Sequence, residues 1–414
     1  MKRIAIIGAG ISGLSIAQML RHEHEVTVYE AAESIGGLIR CERVNGNLFH
    51  TCGGHIFNTK KQEVLDWFWT VFNKEQEFHM AERNSVIFMP DGQHVPYPIE
   101  NYIYLLPKPL QQDIIRDLLS LSKDEQMHCS NFEEFLQRRF GKTLYDTYFK
   151  PYNEKIWHSD LSQVPLEWLE GKLPMPNVED IIYNNFNHIK ERQFVHNTFY
   201  YENDHGSQFI IDRLSEGLDI HVSSPITHLL YKQPYWYIDE KQYDAVVFCG
   251  NIRNLPDIID GVDIQAWEND LRGLQYHGTT TVFCELDKNP YSWIYLPNKD
   301  FRAHRIICTG NFAPSNNAHG HFTGTIEFTD QISKEDILRQ LELLPLHPQY
   351  ITHRYHPCTY PIQSKDTRTM LQSLKQSMAQ HQLYMTGRFV DWEYYNMDVA
   401  IFAAMQTAKR ITSN

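Results

Sequence analysis

The sequence predicts an α/β fold. A Rossmann-like dinucleotide-binding domain is split along the chain, and it carries one inserted helical domain and one inserted antiparallel β-sheet domain. Three observations predict this. The chain opens on "RIAIIGAGISGLSIAQMLRHEHEVTVYEA", which reads as strand, glycine turn, helix and strand. A middle stretch from about residue 103 to 190 carries apolar residues three and four apart, as in "LQQDIIRDLLSLS" and "FEEFLQRRFGKTLYDTYFKPY". Strand-like segments such as "WYID", "TTTVFCEL", "YSWIYL" and "RIICTGNF" then dominate, before a closing strand, "QLYMTG", and a closing amphipathic helix, "VAIFAAMQTAKRI".

The opening unit is justified residue by residue. Ile4 to Ile7 form the short apolar run of a buried strand, and Leu14, Ile16, Met19 and Leu20 recur at helical spacing. Val26 to Tyr29 form the second strand. The order of elements assigns residues 1–77, 200–265 and 365–414 to the split nucleotide-binding domain. The helical domain is expected over 103–195, and the antiparallel domain over 78–102 and 266–364.

Bulk properties bound the partners. The 414-residue chain carries a net charge of −13, so its surface as a whole repels nucleic acid and anionic membranes. An anionic ligand therefore needs a local cationic pocket. The seven cysteines are odd in number and scattered, and no C-x-x-C occurs, which predicts reduced thiols and a cytoplasmic location. No apolar run approaches the ~18 residues of a membrane span, and the N-terminal apolar run meets glycines too early for a signal peptide. His319 with His321, and His353 with His356, lack a neighbouring carboxylate or cysteine pattern, so no metal site is expected.

Gly8, Gly10 and Gly13 form G-x-G-x-x-G between a strand and a helix. The first glycine permits the tight turn, the second lets backbone approach a pyrophosphate, and the third lets the helix pack on the strand. Ser12 sits in the first turn of that helix, whose N-terminus faces the phosphates. Glu30 ends the second strand, placed to accept the ribose hydroxyls. Further on, Gly36 and Gly37 followed by Leu38 and Arg40 look like flavoproteins of the glutathione-reductase-like type with the amine-oxidase motif, so FAD is the expected cofactor. Gly53 and Gly54 would let backbone run close to a flat ring that His55 could touch. At the other end, Gly387 and Arg388 follow a strand, and Met397 and Asp398 open a helix that can meet the rest of the flavin.

These motifs together resemble the UDP-galactopyranose mutase family over essentially the whole chain. "HTCGGHIFN", "HVPYPIENYI", "KPYNEKIW" and "GRFVDWEYYNMD" are similar to its flavin loop, its substrate-facing Pro-Tyr-Pro segment and two bacterial-type segments. "WLEGKLPMPNV" and "WIYLPNKDFRAHRIICTGNFAPSN" resemble eukaryotic-type segments. The resemblance implies a UDP-sugar substrate whose diphosphate is held by two cations, Lys172 and Arg305, and by Tyr295, Tyr360 and Tyr97. Lys172 stands where the family has arginine, so the charge survives but the bidentate fork does not. Arg83 would lie near sugar and flavin, Tyr152 and Trp157 would stack on the uridine, and Tyr395 would complete the substrate set.

The implied reaction interconverts pyranose and furanose forms of a UDP-hexose. The N5 of reduced flavin displaces UDP from the anomeric carbon, the ring opens and recloses, and UDP returns. The reductant would be NAD(P)H or another donor, and a homo-oligomer lies within the family's range. Two other readings stand beside it: an FAD oxidoreductase of the amine-oxidase or protoporphyrinogen-oxidase type, and a flavin-binding relative with altered substrate or no activity. In the basic stretch "YLPNKDFRAHRII", Tyr295 and Arg305 are thus assigned to the diphosphate, and Lys299 and Arg302 to solvent.

Overall fold

The computed structural model describes residues 1–121, 129–166, 176–189 and 197–413. Its nucleotide-binding half is built on a five-stranded parallel sheet. The strands run Leu383–Met385, Ala245–Phe248, Arg3–Ile7, Glu25–Tyr29 and Asp219–His221 across the sheet. Three separated parts of the chain therefore supply one sheet. Ile4, Ala5 and Ile6 are fully buried because both faces are covered, as a parallel sheet requires. One face packs under the helices Ile11–Leu20 and Met397–Ser413, where Leu14 and Ile16 share a core with Ile401 and Ala404. The other face meets helix Thr367–Ala379 through Leu371, Leu374 and Met378.

The strand-like stretch around "WYID" and the strand that follows it go to two destinations. Leu229–Lys232, Tyr235–Ile238 and Lys241–Tyr243 form a meander with Ile259–Asp260, whereas Ala245–Phe248 enters the parallel sheet. Alternation tells them apart: Tyr235–Ile238 buries every second residue, while Ala245–Phe248 is buried throughout.

The second large sheet has seven strands in the order Gln349–Ile362, Gln275–Glu285, Thr323–Thr329, Arg305–Ile307, Trp293–Tyr295, Ser85–Phe88 and His94–Pro96. All neighbours are antiparallel except Trp293–Tyr295 against Ser85–Phe88. A hairpin between Cys41–Val44 and Asn47–His50 went unread in the sequence. Its signal was present, because Asn45 and Gly46 at φ 53° and 82° form the two-residue Asn-Gly turn that such hairpins favour.

The helical block includes Lys108–Ser120, Phe132–Phe140, Lys150–Trp157 and Val178–Phe186. Asn131 caps the second of these by accepting from the Glu134 amide. Their apolar faces join a core that also takes in Trp293 and Tyr295 of the seven-stranded sheet. Lys155 ties the block to the basic stretch: its ammonium donates to the carbonyls of Leu296, Asn298 and Ala303 at 2.6, 2.5 and 3.2 Å. Those carbonyls close around the turn bearing Lys299 and Arg302, both exposed.

Candidate functional site: a dinucleotide cleft beside a cation–tyrosine cluster

A cleft of about 470 Å³ opens over the C-terminal ends of the parallel strands. Gly8, Gly10, Ser12, Gly13, Glu30, Gly37, Leu38, His55, Arg388 and Met397 all line it. The glycines differ in their reasons. Gly8 has φ +107°, and a Cβ there would press on the Cys249 backbone at 3.3 Å. A Cβ on Gly13 would sit 1.9 Å from the Gly8 carbonyl oxygen, so only glycine lets the helix approach the turn. A Cβ on Gly10 would meet nothing within 4 Å, so its Cα faces open space at the helix N-terminus. The Glu30 carboxylate accepts from the Ala9 and Ala32 amides at 2.8 and 2.9 Å, fixed at the edge of the same turn.

His55 reaches the cleft from the Gly53-Gly54 loop. Its Nε2 is buried and has no hydrogen-bond partner among the described residues. Burial and then the Arg388 charge bring its pKa down to about 4, so the ring is neutral at physiological pH. A buried polar atom without a partner, an open glycine at a helix N-terminus and a fixed carboxylate at the second strand end are the features a bound dinucleotide would use. The residues present therefore fit one.

Several expected residues depart from the place or role expected of them: Gly53 and Gly54 do not line the cleft, and Gly54 instead abuts Ile307 and Phe312. Arg40 folds back on its own turn, donating to Ser34 Oγ at 2.6 Å and the Gly37 carbonyl at 3.2 Å, and does not line the cleft. Asp398 turns from the cleft to Thr59, and burial raises its carboxyl. Trp157 is 1 % exposed and belongs to the helical core, which removes it as a stacking surface. Tyr395 lines the cleft, and its carbonyl accepts from Arg388; Tyr394 instead joins the tyrosine cluster, stacked on Tyr360 at 5.3 Å. Lys172 falls outside the described residues.

Next to the cleft lies a row of side chains across three strands. Tyr295 pairs with Arg305, and Arg305 pairs with Glu327. Residues directly opposite in antiparallel strands share a face, so the three act as one group. Arg305 Nε donates to Glu327 Oε2, and its terminal nitrogen donates to the Tyr360 hydroxyl at 3.1 Å. Tyr295 accepts from Arg83 at 2.5 Å, while the Arg83 guanidinium lies 4.6 Å over the Trp293 ring. Tyr97 and Tyr152 flank Tyr295 with rings at 4.9 and 5.4 Å. Arg388 lies over Tyr394 at 4.2 Å and over Tyr360 at 5.6 Å. Gly387 precedes it at φ +114°, and a Cβ there would sit 3.2 Å from Ser12 Oγ.

Glu327 is fully buried and was missed in the sequence. Burial alone would push its carboxyl up, but Arg305 and the His304 ring, 3.4 Å away, hold it well below the usual range. Its other oxygen accepts the Gly53 amide at 2.7 Å. One carboxylate thus ties the loop that carries His55 to the strand that carries Arg305. The available signal was a lone carboxylate inside the strand-forming run "GTIEFT". Burial pushes the Tyr97, Tyr152 and Tyr360 phenols above their ordinary range, so each remains a hydrogen-bond donor. The cluster, which gathers the guanidiniums of Arg305, Arg83 and Arg388, can therefore present cationic and hydroxyl donors to an anion.

Residues 6–71 match the family model "NAD(P)-binding Rossmann-like domain". The chain is 32% identical over 194 residues to a "Probable UDP-galactopyranose mutase" of Klebsiella pneumoniae, covering 45% of this chain and 48% of that protein. It is 28% identical over 186 residues to a dTDP-fucopyranose mutase of Escherichia coli, covering 42% and 46%. These two matches span about half the length of each relative. A UDP-galactopyranose mutase of Mycoplasma genitalium matches at 21% identity over 99% of this chain and 95% of its own. Among solved structures, a reduced UDP-galactopyranose mutase shares the fold with a TM-score of 0.88, at 20% identity, over 100% of this chain and 94% of that one. The resemblance carried by the sequence motifs thus stands against known proteins, and the chain is similar to sugar-nucleotide mutases in sequence and fold.

Proposed function

We propose that this chain, a relative of the UDP-galactopyranose mutases, is a flavin-dependent enzyme that interconverts the pyranose and furanose forms of a nucleoside-diphosphate hexose, with a UDP-galactose-type sugar as substrate. The observation that carries the reading is the Tyr295–Arg305–Glu327 row, hydrogen-bonded through Glu327 to the Gly53 amide at the edge of the dinucleotide cleft. A cation held beside the cofactor is what departure of a nucleoside diphosphate demands, because the leaving group gathers negative charge.

Gly8, Gly10, Gly13, Glu30, Gly37 and Arg388 would hold FAD in the cleft. Bound and reduced, the flavin supplies the nucleophile for the anomeric carbon. The residues of the chain do the rest. Arg305 and the hydroxyls of Tyr152 and Tyr360 bind the diphosphate and stabilise its charge as it leaves. Arg83 fixes the Tyr295 hydroxyl, and Tyr97 packs the same ring from the side. Neutral His55 borders the cofactor without adding a charge. Lys172 is proposed as the second cation on the diphosphate. Residues 1–77, 200–265 and 365–414 act as the cofactor domain, with 103–195 and the 78–102/266–364 pair enclosing the substrate. All seven cysteines are free, which supports a reducing, cytoplasmic setting. Among the described residues no helix is long and apolar enough to cross a membrane.

The test incubates dithionite-reduced and oxidised enzyme with UDP-galactofuranose, and separately with dTDP-fucofuranose, and resolves the products by chromatography. Ring-isomer formation by the reduced enzyme alone supports the mutase. Preference between the two assigns the better sugar nucleotide. Oxidation of an amine substrate with no isomer from either sugar would replace it with the oxidase reading.

A further inference from the structure

Far along the chain from the cofactor motifs, three side chains converge where the helical block meets the seven-stranded sheet. His158 ends helix Lys150–Trp157, His277 lies in strand Gln275–Glu285, and Asp330 follows strand Thr323–Thr329. One ligand atom from each lies within 4.8 Å of the others. Nδ1 of His158 and Nδ1 of His277 are each 3.2 Å from the same oxygen, Oδ2 of Asp330.

The arrangement is held from behind. The other ring nitrogen of His277, Nε2, sits 2.6 Å from the Trp157 carbonyl oxygen. A carbonyl can only accept, so Nε2 carries a proton, and in the neutral ring Nδ1 presents its lone pair to Asp330. The second oxygen of Asp330, Oδ1, accepts the Gly278 amide at 2.9 Å, which leaves Oδ2 turned to the two imidazoles. The Asp330 backbone is clamped as well: its amide donates to the Gly278 carbonyl and its carbonyl accepts from Thr280 Oγ1 at 2.7 Å. That lone pair faces a carboxylate oxygen, an arrangement that either a proton on Nδ1 or a bound cation relieves, and two imidazoles converging on one oxygen is a geometry a cation can share among all three.

We propose that His158, His277 and Asp330 form a binding site for a divalent transition-metal ion of the zinc type, which fastens the helix bearing Tyr152 to the sheet bearing Arg305. The distances suit it. Zinc–ligand bonds of ~2.0–2.2 Å place two ligands of a tetrahedron ~3.3–3.6 Å apart, close to the 3.2 Å separations here. Two imidazoles and one carboxylate are a zinc donor set, and an imidazole whose far nitrogen donates to a backbone carbonyl is the usual outer support of such a ligand. His277 is 17 % exposed whereas His158 and Asp330 are nearly half exposed, so the fourth position opens to solvent. The sequence reading weighed His319, His321, His353 and His356 and passed over this trio, whose members are 119 and 53 residues apart along the chain.

The test titrates zinc chloride into the purified flavin-loaded protein by calorimetry and follows the thermal midpoint. The expected result is one tight equivalent per chain, with a midpoint that rises with the logarithm of free zinc. His158→Ala, which leaves the His277–Trp157 hydrogen bond intact, and Asp330→Asn should each weaken that equivalent at least tenfold. Absence of binding, or binding that both variants leave unchanged, overturns the proposal; the second outcome would assign the zinc to scattered surface histidines.

Discussion

Removing Arg305 should damage the protein in two separable ways, and the structure says how to separate them. Its guanidinium is the counter-charge of Glu327, which is completely buried. Arg305→Met therefore strands a carboxylate, and Glu327→Gln strands a guanidinium. Breaking a buried ion pair from one side typically costs about 3–5 kcal/mol. The double variant removes both charges and should recover much of that, so the two costs fail to add by about 3 kcal/mol. Ligand binding follows a different pattern. A hydrogen bond to a charged group contributes about 1.5–3 kcal/mol, so losing Arg305 should weaken UDP by about 10- to 150-fold. Arg305→Met and the double variant should both show that loss, whereas Glu327→Gln should not. Urea denaturation gives the first pattern, and calorimetric titration with UDP gives the second. Additive stability costs would refute the ion pair as the organiser of the site. A double variant that binds UDP as tightly as wild type would refute Arg305 as a diphosphate ligand.

Other outcomes follow from the same geometry. Gly13→Ala puts a methyl 1.9 Å from the Gly8 carbonyl oxygen and should yield a destabilised, flavin-poor protein; Gly10→Ala should fold normally yet bind FAD more weakly, because its methyl enters open space beside the phosphate-binding turn. Absorbance at 450 nm per chain after purification, with melting curves, distinguishes the two. Burial brings His50 to about 3 and His55 to about 4, His55 adding to the first and Arg388 to the second. Both rings are neutral in the folded state, whereas the unfolded chain protonates them near pH 6.5. Their stabilisation is complete above pH 6.5 and is lost as pH falls toward those values, on the order of 3 kcal/mol for His55 alone. Denaturation of flavin-free protein between pH 7 and 4 should steepen in that window, and His50→Gln should flatten it.

Local rules carried the cofactor half well because its constraints are local. A strand, three glycines and a helix within twenty residues leave little choice of geometry, and Gly8, Gly10, Gly13 and Glu30 lie where spacing placed them. The substrate half depends on register between distant strands, which spacing cannot express. Tyr295, Arg305 and Tyr360 were legible only through the family resemblance, whereas Glu327, which reaches Arg305 from the next strand, carried no motif to mark it. Neighbouring tyrosines are the hardest case. Tyr394 and Tyr395 differ by one position in an irregular turn, and only the fold shows that Tyr394 stacks on Tyr360. Trp157 misled for a related reason, since an aromatic at a helix end reads alike whether it faces a ligand or the core.

The most direct test of a mutase built on this site is anaerobic turnover with the flavin spectrum recorded throughout. Reduced enzyme supplied with excess UDP-galactofuranose should form many equivalents of the pyranose isomer per flavin, while the 450 nm band of oxidised flavin stays absent. Return of that band in step with a single equivalent of product would show net electron transfer and contradict the account.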